Sequence, residues 1–169
     1  MFGDPVTNPM GWEVKQLGDV CELKSGKFIS ASEIKVDFYQ GLYPCYGGNG
    51  LRGYVEKYSH DGKFPLIGRQ GALCGNIQFA RGKFYATEHA VVVSQKNKLN
   101  TEWLCYKLKE MNLNKLAIGA AQPGLTVEKL NKIEIPLPPL PLQTRFADMV
   151  QQVDKTKFVL QQWLDYMVL

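Results

Sequence analysis

Side chains able to carry charge or read a hydrogen-bonding edge concentrate in the middle of this 169-residue chain. Between positions 43 and 85 lie Arg52, Lys57, Lys63, Arg69, Arg81 and Lys83, interleaved with Tyr43, Tyr46, Tyr54, Tyr58 and Tyr85, against only Glu56 and Asp61. Cations at this density suit a polyanion, because each neutralised phosphate releases a counterion and adds a salt-dependent increment of affinity. Reading a base needs a second class of side chain. Arg donates a bidentate pair to guanine, and Asn or Gln pairs with adenine, in the major groove. Asn49, Arg52, Arg69 and Gln70 sit beside glycine turns, where a side chain can project, and are the candidates for base reading. Lys57, Lys63, Arg81 and Lys83 are the candidates for backbone phosphates, and Gln122, in a glycine-flanked loop, is a further candidate.

Catalytic sets are harder to find. Cys45 or Cys74 with His89 could be drawn as nucleophile and base, but nothing nearby marks an elbow or a helix N-terminus that would lower a thiol pKa. Gly47-Gly48-Asn49-Gly50 and Gly68-Arg69-Gln70-Gly71 lack the Lys-Ser/Thr of a P-loop and the glycine spacing of a dinucleotide fingerprint. Both read as turns. The four cysteines, Cys21, Cys45, Cys74 and Cys105, are widely spaced and the chain has only His60 and His89, so no zinc or redox pattern exists. They are expected to be buried free thiols, and neither a catalytic residue nor a metal site is assigned.

The elements that must position these residues follow from composition and period. With 45% apolar and 21% charged residues, the chain can bury a core without crosslinks, which excludes a disordered tract or a disulfide miniprotein. Charge is uneven: residues 41–132 hold 13 Lys and Arg against 6 Asp and Glu, net +7, between ends of −2 and −1. Residues 1–11, with two prolines and an Asn-Pro step, read as an extended opening arm. Residues 14 to 23 fit neither period cleanly and read as short strands or a helical turn. Strands are predicted at 42–46, 64–68, 75–80, 84–87 and 90–94, separated by glycine-bearing turns, within a body from 41 to 94 that holds 10 of the 16 glycines. Asn100 or Thr101 can cap a helix to about Met111, a second short helix starts after Thr126, and residues 133–137 alternate like an edge strand ended by Pro138, Pro139 and Pro141. The fold class is mixed α/β: a glycine-rich curved β body with short helices, then a long coiled-coil-like C-terminal helix.

That helix is the other strong signal. From about Leu142 to Leu169 there is neither proline nor glycine, enough for roughly 42 Å of helix at 1.5 Å per residue. Phe146, Met149, Val153, Thr156, Leu160, Trp163 and Met167 step by alternating threes and fours, a heptad seam with one polar interruption. Phe146, Met149, Val153, Leu160, Trp163 and Met167 are therefore the candidates for a helix interface, with a homodimer as one possible outcome. No stretch reads as a secretory signal or as the roughly 20 apolar residues of a membrane span, so a cytoplasmic location is expected.

In their order and spacing the motifs resemble the target recognition domains of specificity subunits of Type I restriction-modification systems. The resemblance rests on Phe2-Gly3-Asp4-Pro5 with Asn8-Pro9 and Gly11-Trp12, and on Leu17-Gly18-Asp19-Val20 leading to Lys24-Ser25-Gly26. It continues through Tyr43-Pro44 to Tyr46-Gly47-Gly48-Asn49-Gly50, then Gly53-Tyr54, Leu66-Ile67-Gly68-Arg69-Gln70-Gly71 with Gly75, and Gly119 to Gln122-Pro123. Ile135-Pro136-Leu137-Pro138-Pro139-Leu140 and Gln143, before the long helix, complete it.

The resemblance implies a subunit that reads double-stranded DNA without catalytic groups or cofactors of its own. S-adenosylmethionine would serve the methyltransferase (M) subunits, ATP and magnesium the restriction (R) subunit that translocates. Such subunits carry two recognition domains, each reading half of a bipartite site, separated by helices that act as a ruler and bind M subunits. On that pattern residues 1–11 are the arm, 12–140 the recognition domain and 141–169 a truncated spacer or dimerisation helix, so that this chain would be a fragment or a half-subunit. The rival expectation is a protein-interaction fragment that binds methyltransferase subunits without reading DNA.

Overall fold

The structure, a computed structural model, describes residues 8–71, 73–116 and 124–167. The ambiguous opening resolves into three short elements, β1 (Glu13–Gln16), α1 (Leu17–Val20) and β2 (Cys21–Ser25). A sheet of five further strands follows: β3 (Tyr43–Gly47), β4 (Gly50–Val55), β5 (His60–Gly68), β6 (Ile77–Ala86) and β7 (Ala90–Gln95). Then come α2 (Thr101–Glu110), α3 (Val127–Asn131), β8 (Glu134–Leu137) and α4 (Leu140–Met167).

Strands β2-β7-β5-β6-β3-β4 form one six-stranded sheet in that order, antiparallel throughout except between β3 and β6. A separate pair, β1 with β8, joins the start of the chain to the strand before the long helix. One sheet face, through Leu23, Ile67, Val91 and Val93, packs on Leu17, Leu104, Leu108 and Leu130 of the helices. The other buries Leu66, Ala80, Phe84, Ala86 and Val92, with Tyr46 and Phe64 against them. Val residues alternate between the two faces of β7, Val91 and Val93 inward to the helices and Val92 to the opposite side, as a period of two demands.

Two expectations are corrected. The separate strands at 75–80 and 84–87 are one strand, β6, because Gly82 lies within the ladder and not in a turn. It faces Gly62 across β5, and both glycines have positive φ, +71° and +137°. Only glycine takes such values at low cost, so the pair bends the hairpin without ending it. The second correction is β4, which periodicity does not reveal: the four residues 47–50 form the tight end of a β3–β4 hairpin with Gly47 opposite Gly50, and Gly48-Asn49 at the tip.

Asn100, not Thr101, caps α2, its side-chain oxygen accepting from the N–H groups of Glu102 and Trp103. Thr126 caps α3 in the same way through Lys129. Helix α4 begins at Leu140, two residues ahead of expectation, with Pro141 in its first turn. A proline is tolerated there because the first amides of a helix have no intrahelical acceptor. Gln143 fastens this end: its buried Nε2 donates to the Pro138 carbonyl at 2.8 Å, and its Oε1 accepts from the Asn100 N–H at 2.9 Å.

Candidate nucleic-acid interface

Three turns converge at one end of the sheet. They are the β3–β4 tip at Gly48-Asn49, the connection that leaves β5 after Gly68, and the β6–β7 turn around Glu88-His89, closed by the Ala90 N–H donating to the Thr87 carbonyl at 3.0 Å. The approach is close enough to need missing side chains: a Cβ at Gly48 would lie 2.8 Å from the His89 carbonyl, and one at Gly68 would overlap the Gly48 carbonyl. The His89 carbonyl accepts from the Arg69 N–H at 3.1 Å, and the Arg69 carbonyl accepts from Leu125 at 2.9 Å. The chain after β2 joins them, with Gly26 N–H donating to Ala90 at 2.9 Å and Lys27 N–H to Ala86 at 3.0 Å.

All four base-reading candidates belong to this cluster. Asn49 is exposed at the hairpin tip, and exposed Arg52 lays its stem along Gly47. Arg69 is half-buried and donates from Nη1 to Ser25 Oγ at 2.8 Å. Gln70 is exposed, and its Oε1 lies 2.8 Å from His89 Nδ1, while His89 Nε2 faces Glu88 Oε1 at 3.1 Å. Glycine spacing singled out these four as candidates, but not Ser25, which accepts from Arg69, His89, which meets Gln70, or Glu88, which faces His89. A signal was present for the last two: the predicted strands 84–87 and 90–94 leave only positions 88 and 89 between them, the length of a tight turn.

The phosphate candidates are dispersed. Lys57 pairs with Glu33 at 2.9 Å and lies over the Tyr85 ring, and Lys83 lies over Tyr58 with 4.8 Å to the ring centre. Lys63 and Arg81 face each other across the β5–β6 ladder, and both turn to Glu102 of α2, at 3.0 and 3.8 Å. Gln151 of α4 donates to the second Glu102 oxygen at 2.6 Å. Burial opposes charge on Glu102, yet Lys63, Gln151 and Arg81 together hold its carboxyl below the ordinary carboxylate range. These two cations thus tie sheet to helix, away from the converging turns. Gln122 lies outside the described residues.

The four thiols are buried, as expected, and burial pushes Cys21 and Cys105 up to about 11 and raises Cys45 and Cys74 as well. That is opposite to what a thiolate nucleophile requires. Among the described residues no group of His, Cys, Asp and Glu is placed to hold a metal ion, and no helix is long and apolar enough to cross a membrane.

Helix α4 splits its seam. Phe146 packs edge-on to Tyr106 and joins the chain's own core, so it is withdrawn from the surface offered to another helix. Ala147 is buried, and Asp154 accepts from Tyr106 Oη at 3.4 Å. Every residue from Gln152 to Met167 is exposed, including Val153, Leu160, Trp163 at 64% and Met167 at 70%, and Met149 is exposed one turn earlier.

The family of the Type I restriction modification DNA specificity domain matches residues 9–162, nearly the whole chain. The chain belongs to this family. A specificity subunit of the Type I restriction enzyme EcoprrI from Escherichia coli is 48% identical over 143 residues, covering 83% of this chain and 35% of that protein. The specificity subunit of the Type I restriction enzyme MpnII from Mycoplasma pneumoniae is 28% identical over 149 residues, 85% of this chain and 44% of its own length. In fold, this specificity domain is similar to the crystal structure of a Type I restriction-modification S subunit from M. genitalium, with a TM-score of 0.76 at 19% identity over 88% of this chain and 40% of that one. The HsdS subunit from Thermoanaerobacter tengcongensis gives a TM-score of 0.64 at 21% identity, over 91% and 40%. The domain therefore spans less than half the length of each of these relatives.

Proposed function

We propose that this chain reads one part of a DNA target for a Type I restriction-modification complex, using the end of the sheet where its turns converge. The observation that carries the reading is the convergence itself. In a chain of the DNA specificity family, Asn49, Arg69 and Gln70 stand on turns whose backbones are fixed by close glycine contacts, with Arg52 beside them on β4. Side chains on a rigid mount can meet base edges with little ordering cost, which is what discrimination between bases requires.

Catalysis then resides in partners. The chain supplies no catalytic residue, the M subunits bind S-adenosylmethionine and methylate adenine, and the R subunit uses ATP and magnesium. The exposed stripe from Met149 to Met167 supports a helical partner, either the spacer helices and M subunits of a complex or a second copy of this chain. The work is done in the cytoplasm, where DNA and these subunits meet.

Coexpression with the cognate methyltransferase subunits, followed by mapping of methylated adenines, tests the reading. A defined methylated motif is expected, and its loss when Asn49 and Arg52 are both replaced by Ala places the reading end. Methylation without sequence preference, or a motif indifferent to the double substitution, would refute it.

A further inference from the structure

Gln70 is exposed on the connection after β5, yet its amide is not free to turn. Its Oε1 lies 2.8 Å from His89 Nδ1. The contact holds one end of the amide against the ring, and the imidazole tautomer sets which of the two groups donates. The other ring nitrogen faces Glu88 Oε1 at 3.1 Å, which fixes the plane of the imidazole from behind. The main chain on both sides of the contact is held as well, by Arg69 N–H to the His89 carbonyl at 3.1 Å and by a bridge between Gln70 and Gly124.

A free glutamine can present either its oxygen or its nitrogen to a base, and a half-turn of the amide interchanges them. With one end of the amide held on His89, only the other end is left to face outward. From this geometry, and resting on the proposed reading of DNA, we infer that His89 is a positioning residue for Gln70. It holds the amide in a single orientation, so that Gln70 offers a base edge one hydrogen-bonding role and not either of two. The Glu88-His89 turn is then part of the specificity apparatus although it touches no base.

Side-chain isosteres separate this from a general role in folding. Asn places an amide nitrogen where His has Nδ1, whereas Gln places one where His has Nε2. The chain assembled with its methyltransferase subunits is titrated with a duplex carrying the motif the complex methylates and with a scrambled duplex. His89→Ala and His89→Gln are each expected to reduce the ratio of specific to scrambled affinity about tenfold, leaving scrambled affinity unchanged, the scale of losing one base contact. His89→Asn should stay within about threefold of the wild type. In a Gln70→Ala background, His89→Ala should have no further effect, because the two residues act as one unit.

Equal behaviour of the Asn and Gln variants, an unchanged ratio in His89→Ala, or additive losses in the double variant would each overturn the inference. If instead the wild-type complex binds both duplexes equally, it is the DNA-reading function that fails.

Discussion

At the scale of single residues, the chain commits its two histidines differently. His89 works at the surface through its ring nitrogens, while His60 is drawn into the sheet, stacked on Phe84 at 5.2 Å with its Nδ1 beside Ser59 Oγ at 2.7 Å. Burial, reinforced by the positive charge of Lys27, holds His60 below its ordinary value of 6.5. A histidine depressed in the fold binds its proton more readily when unfolded. Its contribution to stability is therefore complete above pH 6.5 and is lost as the pH falls from there through the lower folded value. Urea titrations from pH 7.5 downward should show a falling midpoint, and His60→Phe, which keeps a ring on Phe84, should flatten that dependence. A slope that persists unchanged in His60→Phe assigns it to some other group. Of the proposed reading end, Asn49, Arg52, Arg69 and Gln70 were legible as candidates because glycine turns announce themselves locally. The residues that hold them were not, since the meeting of positions 70 and 89 is a contact between distant turns that no local pattern encodes.

At the scale of elements, long-period signals survived translation into structure and short ones were rewritten by tertiary pairing. The 28-residue α4 is readable because neither Pro nor Gly interrupts it after Pro141, and β7 because Val91, Val92 and Val93 suit a strand buried on both faces. Gly82 misled because a glycine flanked by Arg81 and Lys83 looks like a turn, and only the opposing Gly62 shows it to be a bend within a ladder. The fastening of α4 was likewise invisible. Gln143 reads as a polar residue on a helix, yet it is 2% exposed and satisfies the backbone of two other segments. Gln143→Leu would leave the Asn100 N–H and the Pro138 carbonyl without that partner. It should cost about 2–3 kcal/mol, since each buried backbone group left unpaired is worth ~1–3 kcal/mol. Thermal unfolding should show a melting temperature lower by roughly 4–12 °C, and a loss below about 1 °C would mean that these backbone groups find other partners.

At the scale of the whole molecule, the basic middle of the sequence and the apolar end of the helix point to two different partners. The net +7 of residues 41–132 is spent in part internally, since Lys57, Lys63 and Arg81 are engaged by Glu33 and Glu102, while the turn cluster keeps Arg52 exposed. The helix end, in contrast, is exposed at every residue from Gln152 to Met167. Trp163→Asp should therefore leave the melting temperature of the body within about 1–2 °C of the wild type, as surface changes usually do, while sharply weakening assembly with helical partners. Sedimentation of the variant beside the wild type, alone and with methyltransferase subunits, measures this. Undiminished assembly in both settings would remove Trp163 from the contact.

The attachment of α4 at Gln143, Gln151 and Asp154 carries a metrical consequence. From Asp154 to Met167 the helix extends about 20 Å beyond its last clasp, at 1.5 Å per residue. It is a lever whose pivot is a few hydrogen bonds on α2. A tilt of about 10° at the pivot would swing the tip by about 3.5 Å, close to the ~3.4 Å between successive nucleotides along a DNA strand. Angular play of that size, multiplied by the arm, displaces the tip of α4 by one nucleotide step. The Glu102 clamp, where two sheet cations and Gln151 meet, then sets how closely the far end of α4 is placed relative to the sheet.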